Sequence, residues 1–219
     1  MNEFRTIKLK KGIFERNNIV AQETREELTK QNTVLLNIMS SPGSGKTTVV
    51  VETIKALKAE ICIAVMEADV DSDVDATAVA QAGAKVIQLH TGGMCHLDSQ
   101  MTRQGIESLD PQNVDMIILE NIGNLICTAA YDTGAHKNVM ILSIPEGDDK
   151  PLKYPAMFRS ADVLIISKID ALPMFDFNME ACISRAKSLN PTIEIFPISA
   201  KTGEGMDVWL NWVRQNIRQ

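Results

Sequence analysis

The chain has 219 residues, a net charge of −6, 45% hydrophobic and 23% charged residues, the balance of a single globular domain with a sizeable core. That acidity argues against non-specific nucleic-acid binding, and no apolar run approaches the ~18 residues needed to cross a bilayer. Neither nucleic acid nor membrane is expected as a partner. The charged start "MNEFRTIKLKKGIFERNN" lacks an apolar signal segment. A cytoplasmic location is the expectation from that start, and the four cysteines Cys62, Cys95, Cys127 and Cys182, widely spaced with no Cys-x-x-Cys, argue against a disulfide framework.

In chain order, residues 1–32 read as an N-terminal helical extension, with the charged helix "AQETREELTK" (21–30) packed on the sheet edge. Short apolar runs then alternate with helix-like segments. The runs are "TVLLNIM" (33–39), "ICIAVMEAD" (61–69), "KVIQL" (85–89), "VDMIILEN" (114–121), "NVMILSI" (138–144), "DVLIISK" (162–168) and "IEIFPIS" (193–199). Between them lie helix-like stretches, among them "TTVVVETIKALKAE", "HLDSQMTRQGIESL", "KPLKYPAMFRS" and "NMEACISRAKSLN". Runs apolar at nearly every position are strands of a parallel sheet buried on both faces. The expected fold is one α/β domain over 1–219: a three-layer P-loop NTPase with a mostly parallel central sheet and helices on both faces. Ligands in such sheets sit beyond the C-terminal strand ends.

"MSSPGSGKTT" (39–48) lies between a strand and a helix, the context a P-loop requires. Gly43, Ser44, Gly45, Lys46, Thr47 and Thr48 would cradle phosphates with backbone N–H groups at a helix N-terminus. Lys46 would reach the β- and γ-phosphates, and Thr47 would sit on Mg²⁺. Ser40 stands where the pattern has its first glycine. Carboxylates follow two strands: Asp69, with Asp71, Asp73 and Asp75 after it, and Glu120. Mg²⁺ needs one or two of them; Asp71 and Asp73 read as a solvated face and a helix cap.

"SKID" (167–170) fits a guanine-reading loop. A carboxylate there can accept from the N1–H and 2-amino groups of guanine, which adenine lacks, so Asp170 would discriminate between the bases. Lys168 would cover a base face, and Ser167 replaces the usual asparagine. "SAKTGEG" (199–205) fits the second guanine loop, with Ser199 and a backbone N–H of Ala200 or Lys201 at the base. Separately, "TGGMCHLD" (91–98) sets Cys95 beside His96, a pair that cannot close a tetrahedral metal site alone.

Together with "ENIGNLIC" (120–127) and "IPEGDDKPLKYP" (144–155), these stretches resemble the HypB hydrogenase maturation GTPases from about residue 30 to the C-terminus. The resemblance implies a GTPase that inserts nickel into [NiFe]-hydrogenase precursors. It also implies a homodimer when GTP-bound, a HypA-type metallochaperone and the hydrogenase large-subunit precursor as partners, and a metal site between subunits. It assigns Cys95, His96 and Cys127 as ligands of Ni²⁺ or Zn²⁺, which ligand type cannot separate. Asp75 and Glu120 become the Mg²⁺-side carboxylates, acting in catalysis with Lys46, and Lys153 a nucleotide or dimer contact. Departures are Thr128 in place of a proline after Cys127, "YDTGA" (131–135) for "FDLGE", and no N-terminal Cys-x-x-Cys-Gly-Cys or His-rich tract. Neighbouring strands would bring the Cys95–His96 and Cys127 loops to one rim of the sheet.

Alternatives are a nickel GTPase for urease maturation, whose Cys-Pro-His is absent here, a P-loop small-molecule kinase or ATPase, and a metal-binding module with a nearly idle GTPase. No arginine finger is evident, so slow intrinsic hydrolysis is expected. Cys62 and Cys182 read as core residues, His90 and His136 as structural or solvated, and Trp209 and Trp212 as packing residues.

Overall fold

The computed structural model describes residues 10–69, 74–110 and 113–217; Asp71 and Asp73 lie outside the described residues. Seven strands form one all-parallel sheet in the order β3-β2-β4-β1-β5-β6-β7. They are β1 (Val34–Ser40), β2 (Ile63–Asp69), β3 (Lys85–His90), β4 (Met116–Glu120), β5 (Lys137–Ser143), β6 (Val163–Ser167) and β7 (Glu194–Pro197). β1 lies centrally between β4 and β5, so the loop that follows it opens where the connections part to either side.

Strand alternation divides the core into two layers. Leu36 and Ile38 of β1 face one side with Val65, Ile118, Val139 and Ile165, beneath α2 (Lys46–Leu57), α3 (Val74–Ala82) and α8 (Met206–Ile217). Trp209 and Trp212 of α8 stack there at 5.2 Å, confirming their packing role. Leu35 and Met39 face the other side, under α1 (Lys10–Lys30) and α4 (Ser99–Leu109) at one half and α6 (Pro155–Ser160) and α7 (Met179–Leu189) at the other. Among the described residues, no helix is long and apolar enough to cross a membrane.

Two expectations are corrected. The N-terminal helix is not at the sheet edge: its buried stripe Asn17, Ala21, Thr24 and Leu28, at helical spacing, packs on β1 and α4 across the sheet face. The segment 150–160 is not one helix. It breaks into α5 (Lys150–Lys153) and α6 at Tyr154, whose φ of −128° and ψ of 54° reflect the bar that Pro155 places on a helical preceding residue.

Gly205, at the end of the 199–205 loop, has φ of 72°, and a Cβ there would lie 2.3 Å from the Pro197 carbonyl oxygen. Left-handed strain and this backbone overlap act together. Gly205→Ala should therefore cost roughly 2–4 kcal/mol, read as a lowered midpoint in urea denaturation.

Candidate nucleotide and metal sites

The phosphate loop runs from Ser40, wholly buried at the end of β1, to Lys46 at the start of α2. Gly43 (φ 74°) and Gly45 (φ 94°) take backbone conformations closed to most side chains. Ser40 does not, so its serine fits where the pattern has glycine. Its Oγ accepts from Ser44 Oγ at 2.6 Å and from Lys46 Nζ at 3.0 Å, which holds the lysine over the loop.

Thr47 Oγ1 donates to Glu120 Oε1 at 2.8 Å. Glu120 is opposite Glu67 in the β2–β4 register, and ligand oxygens of Glu67, Asp75 and Glu120 all lie within 4.8 Å of one another. Asp75, not Asp69, joins this group. Glu67 and Glu120 are each 2% exposed, and the Oε2 of each has no hydrogen-bond partner. Burial pushes the Glu67 carboxyl far above the usual range, with the Glu120 and Asp75 charges adding to the effect and Lys46 opposing it. Burial also raises Glu120, against the pull of Lys46 and the Thr47 hydrogen bond. Buried, under-partnered carboxylate oxygens beside a P-loop threonine fit a hard cation such as Mg²⁺.

Beside the loop lies a cavity of about 420 Å³ lined by Ser44, Gly45 and Thr48 and by Ser167, Lys168, Asp170, Ser199, Ala200 and Lys201. Both guanine-type loops thus meet the P-loop. Ser167 Oγ donates to the Ser44 carbonyl at 2.7 Å, so the serine still ties the base loop to the phosphate loop. Lys168 (φ 60°) reaches the Gly43 carbonyl at 2.7 Å, laying its stem along the cavity, and Ser199 Oγ donates to Asp170 Oδ1 at 2.7 Å. Lys153 is not in this cavity. It is exposed on α5 and pairs with Asp149 at 2.5 Å.

Farther along the same rim, ligand atoms of Cys95, His96 and Cys127 lie within 4.8 Å of one another. Their loops follow β3 and β4, which are not neighbours as expected, because β2 runs between them. Asn124 Oδ1 caps the Ile126 and Cys127 amides at 2.8 and 2.9 Å. Burial lowers the His96 pKa, against Asp98, which favours the neutral imidazole a metal needs. The hydrogen bond to Cys95, then burial, raises the Cys127 thiol. The His96 ring stacks on Tyr131, centroids 3.9 Å apart at 17°.

A model of the CobW/HypB/UreG nucleotide-binding domain matches residues 34–197. The hydrogenase maturation factor HypB of Rhizobium leguminosarum bv. viciae is 44% identical over 213 residues, which is 97% of this chain and 71% of that protein. The chain belongs to the HypB family. The crystal structure of HypB from Helicobacter pylori in complex with nickel is similar at a TM-score of 0.87 and 37% identity, covering 93% of this chain and 95% of that one. HypB from Archaeoglobus fulgidus follows at 0.86 and 34%, covering 93% and 99%. The chain is therefore a P-loop NTPase of a hydrogenase-maturation GTPase family.

Cys182 is buried in α7, and burial pushes its thiol up to about 12, an inert core residue. Cys62 is exposed, a correction: it precedes β2 instead of entering it, and its amide donates to Asp115 Oδ2 at 2.7 Å. His136 is structural, its Nδ1 accepting from the Leu35 amide at 3.0 Å, and His90 is exposed. Glu67 and Tyr131 escaped the sequence reading. A lone glutamate in the apolar run "IAVMEAD" was the available signal for the first.

Proposed function

We propose that this chain is a GTP-hydrolysing nickel metallochaperone for [NiFe]-hydrogenase precursors, in which nucleotide state controls a metal site completed by GTP-dependent dimerisation. The carrying observation is that one loop serves both sites. It leaves Glu120, which bonds Thr47, and reaches Cys127 seven residues on. On the way Gly123 rests on the P-loop so closely that an added Cβ would lie 2.9 Å from the Pro42 nitrogen. A γ-phosphate that shifts the P-loop or Glu120 would therefore be felt at a metal ligand.

Guanine is read by Asp170 and the Ser199–Lys201 loop, the phosphates by Gly43–Thr48. Thr47, Asp75 and Glu120, with Glu67 alongside, hold Mg²⁺, which when bound offsets charge on the β- and γ-phosphate oxygens. Lys46 stabilises charge developing on the transferred group, and turnover is slow without a supplied arginine. The site at Cys95, His96 and Cys127 takes Ni²⁺ as cargo. Zn²⁺ competes with the same ligand set.

Three ligands from one chain leave the shell open. Met94 and Ile126, each next to a cysteine ligand, are 41% and 68% exposed, a surface suited to a second copy that doubles the ligand set. Lys153, exposed on α5 outside the nucleotide cavity of its own chain, is a nucleotide or dimer contact in this reading. A HypA-type protein delivers nickel, and the large-subunit precursor receives it.

The test is equilibrium Ni²⁺ binding per protomer with a non-hydrolysable GTP analogue and with GDP. About tenfold tighter binding in the GTP state, lost in Cys95→Ala, is the expected result. Equal affinity in both states would break the coupling.

A further inference from the structure

Two ligand-bearing loops that follow non-adjacent strands need something other than the sheet to join them. Strands pair about 4.8 Å apart, so the ends of β3 and β4 stand roughly twice that from each other across β2. The join is made from α1. Asn17, 8% exposed, accepts at Oδ1 from the Ser99 amide (2.9 Å) and donates from Nδ2 to the Asp132 carbonyl (2.8 Å). Its own carbonyl accepts from Ser99 Oγ at 2.8 Å. Ser99 lies three residues after His96, and Asp132 five after Cys127. One asparagine thus holds both loops.

Tyr131 makes the second link. It comes from the Cys127 loop, stacks on His96 of the other loop, and is backed by Phe14 of α1 at 5.1 Å. An imidazole binds metal through in-plane nitrogen lone pairs, so a ring against its face leaves coordination free and restricts rotation about the side chain. Arg25 of α1 adds a paired contact to Asp132, at 2.8 and 3.0 Å.

We propose that Tyr131 and Asn17 are positioning residues of the metal site: α1 draws the two ligand loops together, and the Tyr131 ring sets the plane in which His96 meets the metal. This rests on reading Cys95, His96 and Cys127 as a metal centre. Residues that orient a ligand without touching the metal commonly change affinity about 10- to 100-fold when lost.

The experiment measures Ni²⁺ affinity by chelator competition, the thiolate-to-nickel absorption band and GDP affinity for the full chain and for Tyr131→Leu, Tyr131→Phe, Asn17→Ala and Cys95→Ala. Tyr131→Leu and Asn17→Ala should each weaken Ni²⁺ about tenfold and shift the band while leaving GDP affinity as it was. Tyr131→Phe, which keeps the ring, should restore both nickel readouts. Parent-like affinity and band in Tyr131→Leu and Asn17→Ala, with binding lost in Cys95→Ala, would overturn the positioning role and leave the metal site standing. Loss in Tyr131→Phe equal to that in Tyr131→Leu would also overturn it, since the ring face would not be the agent. Should Tyr131→Leu fail to bind GDP, and so fail to fold, Asn17→Ala decides by the same two nickel readouts. Undiminished binding in Cys95→Ala would remove the metal-centre reading itself, and the inference with it.

Discussion

Replacing Asp170 by asparagine should convert a guanine site into a xanthine site. In the parent, Ser199 Oγ holds Asp170 Oδ1 at 2.7 Å, fixing the carboxylate at the cavity that Lys168 and Ala200 also line. Guanine presents two donors, N1–H and the 2-amino group, to two acceptors. Asparagine keeps an acceptor but sets an amide NH₂ against the 2-amino group, so donor faces donor. Xanthine has a carbonyl at that position and restores the pairing. Sites built on such buried pairs discriminate by several orders of magnitude, so GDP affinity should fall by at least about 10²-fold while XDP affinity rises. Competition binding with GDP, XDP and ADP checks it. A variant that still prefers GDP would mean that Asp170 does not read the base. A parent that binds ADP as tightly as GDP would favour the kinase or ATPase alternative.

Legibility followed locality. The P-loop and the two guanine-type loops are contiguous stretches whose neighbours in sequence are their neighbours in space, so "SSPGSGKTT", "SKID" and "SAKTGEG" are legible at strand ends from the sequence alone. Even there the meaning of a departure was hidden. Ser167 reads as a lost asparagine, yet its hydroxyl makes the tether to Ser44, 123 residues away in sequence. Glu67 was missed because its role depends on β4 inserting between β1 and β2, a strand order that chain order does not reveal. In a run such as "IAVMEAD" an interior polar residue looks like an interruption of the core. Asn17 was missed for the same reason, since its partner Asp132 is 115 residues away. The α1 stripe is helical in period, but periodicity says that a face is buried, not which surface buries it. Cys62 failed at the boundary of an element. Alternation within "ICIAV" buries it, whereas β2 begins at Ile63 and leaves it outside.

Lys46→Met should keep the fold and lose the chemistry. The methionine preserves most of the unbranched stem at the start of α2, where helix propensity changes little. What disappears is the ammonium, which rests on Ser40 Oγ at 3.0 Å and counters the charge of Glu120. That position is one short swing from the phosphates the loop would hold, so Ser40 keeps the charge at hand without burying it in an ion pair. In phosphoryl transfer the protein contributes chiefly placement and charge stabilisation, and removing one such donor costs about 10²–10³ in turnover. GTP hydrolysis in Lys46→Met should drop by at least about 10²-fold, with the thermal midpoint close to that of the parent, both measured on the same preparation. The consequence should reach the metal ligands. If hydrolysis is what relaxes the Glu120–Cys127 loop, Lys46→Met loaded with Ni²⁺ should retain it on addition of GTP while the parent releases it to a chelator. Retention by both proteins would separate metal release from hydrolysis, and parent-like turnover in the variant would remove Lys46 from the phosphate site.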